Sequence, residues 1–312
     1  MWFKNLQVYR LPSSFETSPE DLNKLLEPDQ FTPCGSQELS RAGWVPPLGE
    51  NSEMLLHSSN AYWMFCSRRQ DRLLPASVIK EVHDERVQDK EQAEDRKLSG
   101  KERRELKEEI QFELLPRAFV KSSRQYGYIS AKDRMLVIDS RSATNAEAFV
   151  SQIRESVGSF PAIPLTSGSI PIDVMTSWLI GGQLPAGFEL GEECEIRDNA
   201  DIKSIIRFKN QNLRSDELIS MLNNGMHVSK LALIWQERVE CIIDENLGIS
   251  RLRFTDVVLT KSDEVEAETV EEQFDVDFSI MTLELSTFTA SLLAAFGGEK
   301  NASDKIESEK NE

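Results

Sequence analysis

The stretch "LLPRAFVKSSRQYGYI", Leu114 to Ile129, holds three cations, three aromatic side chains and no acid. Arg117, Lys121 and Arg124 in that spacing can neutralise the phosphates of a nucleic-acid backbone, and the aromatics among them can stack or wedge. A second stretch, "IIRFKNQNLRSDE", repeats the recipe: Arg207, Lys209 and Arg214 flank Asn210, Gln211 and Asn212, whose amides can bond phosphates or base edges. This is the chemistry of binding. A solvated strand edge that carries Lys and Arg against aggregation has the same composition, so spacing alone leaves both readings open.

Signals for catalysis are missing. The sequence has no GxxxxGK[ST], HExxH or GxSxG, and "GGQLPAG" lacks the spacing of a dinucleotide loop. Cys34, Cys66, Cys194 and Cys241 form no CxxC pair, and His57, His83 and His227 are equally scattered. Reduced, buried thiols are therefore expected in place of a zinc site or redox motif. The acids of "DVD", 275–277, could hold a metal but read as first-turn acids of the apolar helix that follows. No catalytic residue, metal or cofactor is expected.

The chain has 312 residues and a formal net charge of −17. On that number alone a nucleic-acid partner is disfavoured, since such proteins are usually basic. The charge is segregated, however. Residues 256–312 contain 15 acids and 4 bases, net −11, whereas Arg117–Arg154 contains 7 bases and 3 acids, net +4. The longest apolar runs, "MLVID" and "LLAAF", fall short of the roughly 18 residues of a membrane span, and the start lacks a signal-peptide core, so a cytoplasmic protein with no membrane partner is expected.

The elements that must carry these residues form an irregular series. "MWFKNLQVYRL" alternates like a strand, and "SPEDLNKLLE" places Ser18 as N-cap before Pro19 and a leucine face. "AYWMFCSRR" reads as a buried strand ending in a basic corner. From Ala76 to Leu115 both charge signs are dense, and Ser99 with Glu102 has capping-box spacing, which predicts one helix before Lys97 and another over about 100–114. Pro116 ends it, so "LLPRAF" is a projecting turn leading into a strand pair. "TNAEAFVSQIRESVG" is a helix with Thr144 and Glu147 as its capping box, and the Pro/Gly/Ser-rich segment after it marks a module boundary. A helix "SDELISMLNNG" and an antiparallel set in "VSKLALIW", "VECIIDE" and "ISRLRFTDVVL" follow. The class is α+β. The expected units are an N-terminal α+β module over 1–160 with a charged helical arm at 76–115, a second α+β module over 161–262, an acidic linker and amphipathic helix over 263–298, and a disordered tail over 299–312. In the last helix Phe278, Met281, Leu285, Phe288 and Leu292 form a seam that calls for a core groove or a partner subunit.

"MWFKNLQVYRL", "FTPCGSQE" with "GWVPPLG", "LLPRAF", "SKLALIWQ" and "FDVDFSIMT" occur in order over nearly the whole chain, which resembles the RdgC family of bacterial recombination-associated proteins. The resemblance implies a non-enzymatic, nucleoid-associated protein whose horseshoe-shaped subunits close into a ring homodimer around duplex DNA. It implies little sequence preference, single-stranded DNA as a second ligand, and antagonism of RecA-promoted recombination. By the same resemblance Arg117 is a phosphate contact, Phe119 a knob that closes the ring, Gln211 part of a DNA-contacting turn and Lys230 a cation facing the hole. Lys121, Arg124, Arg207, Lys209 and Asn210 complete the expected DNA set, and Phe278, Met281 and Leu285 the expected dimer contact. The family pattern has lysine before the glutamine where this chain has Asn210, and Lys209 stands one residue earlier. Two rival classes are an acidic protein that inhibits RecA by direct contact and a nuclease using clustered carboxylates and Mg²⁺.

Overall fold

The computed structural model describes residues 1–13, 15, 17–49, 52–198 and 204–300. Among them the chain forms β1 Gln7–Arg10, α1 Pro19–Leu26, β2 Ser40–Val45, β3 Leu56–Ser59, β4 Tyr62–Leu73, α2 Ala76–Glu94, α3 Gly100–Leu114, β5 Phe119–Ser130, β6 Met135–Ile138, α4 Ala143–Val157 and β7 Ile163–Pro164. There follow α5 Pro171–Ile180, β8 Phe188–Asp198, β9 Ile205–Lys209, α6 Asp216–Asn223, β10 Met226–Trp235, β11 Val239–Asp244, β12 Ile249–Phe254, α7 Asp256–Asp263 and α8 Val270–Ala295. The class is α+β, with two antiparallel sheets. The first runs β2-β4-β5-β6-β1-β7 with β3 beside β4, and the second β12-β11-β10-β8-β9.

Local chemistry starts most of these helices where the sequence predicts. Ser18 accepts from the Asp21 amide, Ser215 from the Leu218 amide, and Ser99 and Glu102 close a reciprocal capping box. Two expectations need correction. Ser142, not Thr144, caps α4, because the chain already turns helical at Ala143. The acids of "DVD" lie inside α8, whose first turn begins at Val270 behind Thr269. Instead of capping, Asp275 pairs with His57 at 2.9 Å and Asp277 with the amino group of Met1 at 2.6 Å.

The sheets are stitched by the first residues of the chain. Leu6 and Ile249 exchange backbone hydrogen bonds at 2.8 and 3.0 Å, and the Leu252 amide donates to the Lys4 carbonyl at 2.8 Å. One apolar cluster draws on Phe3 ahead of β1, on Val8, Met64 and Tyr128 from the first sheet and on Ile196, Leu231 and Ile243 from the second. Helix α8 lies against both. Phe278 meets Tyr128 with ring centroids 6.0 Å apart, and Phe288 meets Trp235 at 5.6 Å. A separate cluster fills the other face of the first sheet under α4, where Phe65 and Phe149 stack and Trp44 meets both edge-on. Gly127 permits that approach: a Cβ there would sit 2.7 Å from the Phe149 ring.

Phe278, Met281 and Leu285, expected at a subunit contact, are 1%, 0% and 1% exposed within this chain's own core. The seam thus takes the core-groove alternative, because the two sheets already present the apolar surface it needs. Helix α8 is also long and apolar enough to cross a membrane, and half of its most apolar window is buried in the protein. Residues 299 and 300, expected to open a disordered tail, are held in the fold: Glu299 pairs with Arg10, and the Lys300 amide donates to the Thr166 carbonyl at 3.1 Å. Residues 301–312 lie outside the described residues.

Removing a fully buried aromatic ring costs roughly 3–5 kcal/mol. Phe278→Ala should therefore lower stability by about that amount in guanidinium titrations without changing the mass of the native protein in sedimentation; a loss of subunit association without that loss of stability would return this residue to a subunit interface.

Candidate nucleic-acid interface

Strands β4 and β5 pair over twelve residues, from Tyr62↔Ser130 to Leu73↔Phe119. Only the first half of this ladder lies over the core. Residues 119–124 are all exposed, so the second half is an arm with both faces in solvent. Its strand segments, "CSRRQDRL" and "FVKSSRQY", carry Arg68, Arg69, Arg72, Lys121 and Arg124 against one acid, Asp71. Beyond the arm, α2 and α3 form a helical hairpin closed on Ile79, Val87, Leu98, Leu106 and Ile110.

Strand alternation separates cations that look adjacent in sequence. Arg124 shares a face with Tyr126 and Tyr128, and there it stands opposite Arg68, whose guanidinium lies 4.7 Å from the centre of the Phe31 ring. Lys121 projects on the other face, beside Asp71. Arg117 is exposed on a single 3-10 turn, Leu115–Arg117. That turn is held by Arg72, which donates to the Leu115 carbonyl at 3.2 Å and, from its Nε, to the Gly35 carbonyl at 3.1 Å. Arg72 is thus a fastener of the turn rather than a cation offered to a ligand. Phe119 follows the turn and is 84% exposed.

The other predicted cations gather on the second sheet. Its inner face packs on the core, and its outer face carries a cleft of about 480 Å³ lined by Arg141, Arg207, Lys209, Lys230 and Arg251 with Glu193, Glu195 and Asp244. The register explains the grouping: Glu195 of β8 lies between Arg207 of β9 and Lys230 of β10. Its buried carboxylate accepts from Arg207 Nε at 2.8 Å, from Arg197 at 3.1 Å and from Ser229 Oγ at 3.0 Å, with Lys230 Nζ at 3.3 Å. Burial alone would push the Glu195 carboxyl up; the hydrogen bonds from Arg207, Ser229 and Arg197 and the charge of Lys230 outweigh it and bring the group down to about 2. Arg197 is shared with Glu245 at 3.2 Å, so three cations meet two carboxylates and an excess of one positive charge remains at an open face, an arrangement that can receive a polyanion.

Lys209, Asn210 and Gln211 are exposed at the end of β9. Asn210 sits at φ 53°, a left-handed conformation that asparagine tolerates better than lysine does. Arg214 does not flank the amides as a cation for a ligand; it donates to the Gly182 carbonyl at 3.4 Å just past α5. The structure therefore brings Arg207, Lys209 and Lys230 into one cleft, and puts Arg117, Phe119, Lys121 and Arg124 on the arm of the other sheet. Sequence reasoning missed Arg141, Arg197, Arg251 and Arg253. The alternation of Arg251 and Arg253 in "ISRLRF" was the available signal.

All four cysteines are buried and free, and burial pushes the thiols of Cys66 and Cys194 up to about 12. Among the described residues no group of three or more His, Cys, Asp or Glu side chains could hold a metal.

Because the Glu195 carboxyl is depressed from the ordinary 4.5 to about 2, its stabilisation is full above pH 4.5 and is lost as pH falls towards 2. Glu195→Gln should thus be less stable than the parent by roughly 2–3 kcal/mol at pH 7, with the gap closing between about pH 4.5 and 2 in unfolding titrations; a gap that does not change with pH would mean that the charge is not what matters.

A family described as "Putative exonuclease, RdgC" matches residues 1–299. A recombination-associated protein RdgC of Aeromonas hydrophila is 41% identical over 302 residues, covering 97% of this chain and 100% of the relative. Proteins of the same name from Tolumonas auensis and Psychromonas ingrahamii are 40% and 38% identical, each over 96% of this chain and over 99% and 100% of the relative. A match of this identity over nearly the full length of both chains leads to one conclusion: this chain belongs to the RdgC family.

Proposed function

We propose that this chain is a recombination-associated, sequence-nonspecific binder of duplex DNA that works without catalysis, encloses the duplex as a ring-shaped homodimer of horseshoe-like subunits, and limits RecA-promoted exchange by occupying DNA at the nucleoid. The observation that carries the reading is the exposed β4–β5 arm, with five cations to one acid in a protein of net charge −17. A chain that needs acidity only for solubility has no reason to keep such a stretch so poor in carboxylates. The names of its relatives, which are recombination-associated proteins, support the setting.

In this reading the work is electrostatic. Arg117, Lys121 and Arg124 on the arm, and Arg207, Lys209 and Lys230 with the Asn210–Gln211 amides on the second sheet, neutralise phosphates and release counterions. No base edge has to be read. Phe119, exposed at the end of the arm, is the side chain that docks on the second subunit, since an 84% exposed phenylalanine gains most from a partner's apolar surface. Ring closure then adds topology to affinity: a threaded ring leaves circular DNA only by opening. RecA is opposed through its substrate, without direct contact.

Log affinity for duplex DNA should fall linearly with log salt, by roughly 0.9 for each phosphate contact. Arg117→Ala and Lys209→Ala should each weaken binding and flatten that slope by about 0.9, whereas Phe119→Ala should keep the slope and lose the salt-resistant retention on closed circular DNA. Salt-independent binding, or RecA inhibition that survives both cation substitutions, would favour the sequestering protein; DNA degradation dependent on Mg²⁺ would favour the nuclease.

A further inference from the structure

Arg251 has a conformation that its place in a strand does not explain. It sits at φ 52°, in the left-handed region, where the β11–β12 register slips between Glu240 and Ile242. Unlike asparagine or glycine, arginine enters that region only at an energetic cost, and such strain collects at functional positions. Bulges of this kind re-aim a side chain while the rest of the strand keeps its register. Here Leu252 stays buried in the core, and Arg251 and Arg253 are both exposed on the outer side.

The bulge delivers Arg251 to the middle of the basic face. It lines the 480 Å³ cleft with Arg141, Lys209 and Lys230, and also a neighbouring cleft of about 470 Å³ with Arg253 and Asn210. Within the chain its partner is Glu193, to which it donates from Nη1 alone, at 2.9 and 2.7 Å to the two carboxylate oxygens. Both groups are partly in solvent, and an ion pair of that kind contributes too little to account for a strained backbone. A function that needs a guanidinium at this spot accounts for it better.

We propose that Arg251 is a phosphate-binding residue, aimed by the β12 bulge into the cleft it shares with Arg141, Lys209 and Lys230, with Glu193 as the internal anion that a DNA phosphate displaces. This rests on the DNA-binding reading above. The guanidinium suits the role because its fork of donors can pass from one carboxylate to one phosphate without moving far.

The test is duplex DNA affinity across a salt series, paired with thermal unfolding, for Arg251→Asn, Glu193→Gln and Lys209→Ala. Arg251→Asn should melt at or above the parent temperature, since asparagine suits the left-handed site, yet bind DNA several-fold more weakly with a slope shallower by about 0.9. Glu193→Gln, which leaves the bulge untouched and removes the competing carboxylate, should bind at least two-fold more tightly. If Lys209→Ala weakens binding while Arg251→Asn and Glu193→Gln leave it at parent values, Arg251 plays no part and the DNA reading stands; if none of the three changes binding, the basic face itself is not the interface. A fall in melting temperature for Arg251→Asn with unchanged affinity for Glu193→Gln would assign the bulge a purely structural role.

Discussion

Burial of the apolar side of α8 against both sheets is the constraint on which the rest of the structure depends. Phe278, Met281, Leu285 and Phe288 are all 1% exposed or less, and at roughly 1.5–3 kcal/mol for each fully buried side chain they are a large part of what holds the sheets together. The polar residues of the same helix fix its register: Asp275 on His57, Asp277 on the Met1 amino group, Ser286 on Asp133 at 2.6 Å, and the buried Glu284 on Arg238 and Lys261. With the inner face of each sheet committed to this core, the outer face of the second sheet and the β4–β5 arm are left open to solvent. Those are the surfaces on which the cations stand.

Electrostatics explains how an acidic chain can offer them. Among the described residues, ten of the eleven acids after residue 255 lie on α7, α8 and the segment between them, whereas Arg207, Lys230 and Arg251 stand on β9, β10 and β12. On the basic face itself carboxylates stand among the cations: Glu193, Glu195 and Asp244 line one cleft, and Glu192, Glu193 and Glu240 the next. Glu195 is buried and ionised under three cations, and Glu193 holds Arg251. Carboxylates in such positions order long, flexible side chains that would otherwise lose entropy on meeting a polyanion. They also moderate the field at that face.

What the sequence made legible was local. Ser18, Ser99 with Glu102 and Ser215 cap their helices through contacts three residues away, so the pattern contains the whole interaction. Thr144 failed as a cap because Ser142, two residues earlier, offers the same hydroxyl. The seam of α8 was visible as a period, but its partner was not, since a period says that a face is apolar and not what covers it. The same limit hid the site's organisation. Arg207 and Lys230 are brought to Glu195 by pairing among β8, β9 and β10, contacts 12 and 35 residues apart that no spacing rule encodes, whereas Arg197 stands two residues along the same strand. The alternation of Arg251 and Arg253 was legible, but the bulge that aims Arg251 into the cleft is one that a period-two reading cannot anticipate.

Hydrogen exchange of the full chain, read by mass spectrometry with and without a 30-base-pair duplex of arbitrary sequence at low salt, tests the central claim most directly. The account predicts slowed exchange at 117–125 on the arm and at 205–212 and 249–254 on the second sheet, in the same pattern for unrelated duplexes and lost at high salt. Slowed exchange confined to α7 and the start of α8, or none on the arm and the second sheet, would contradict it.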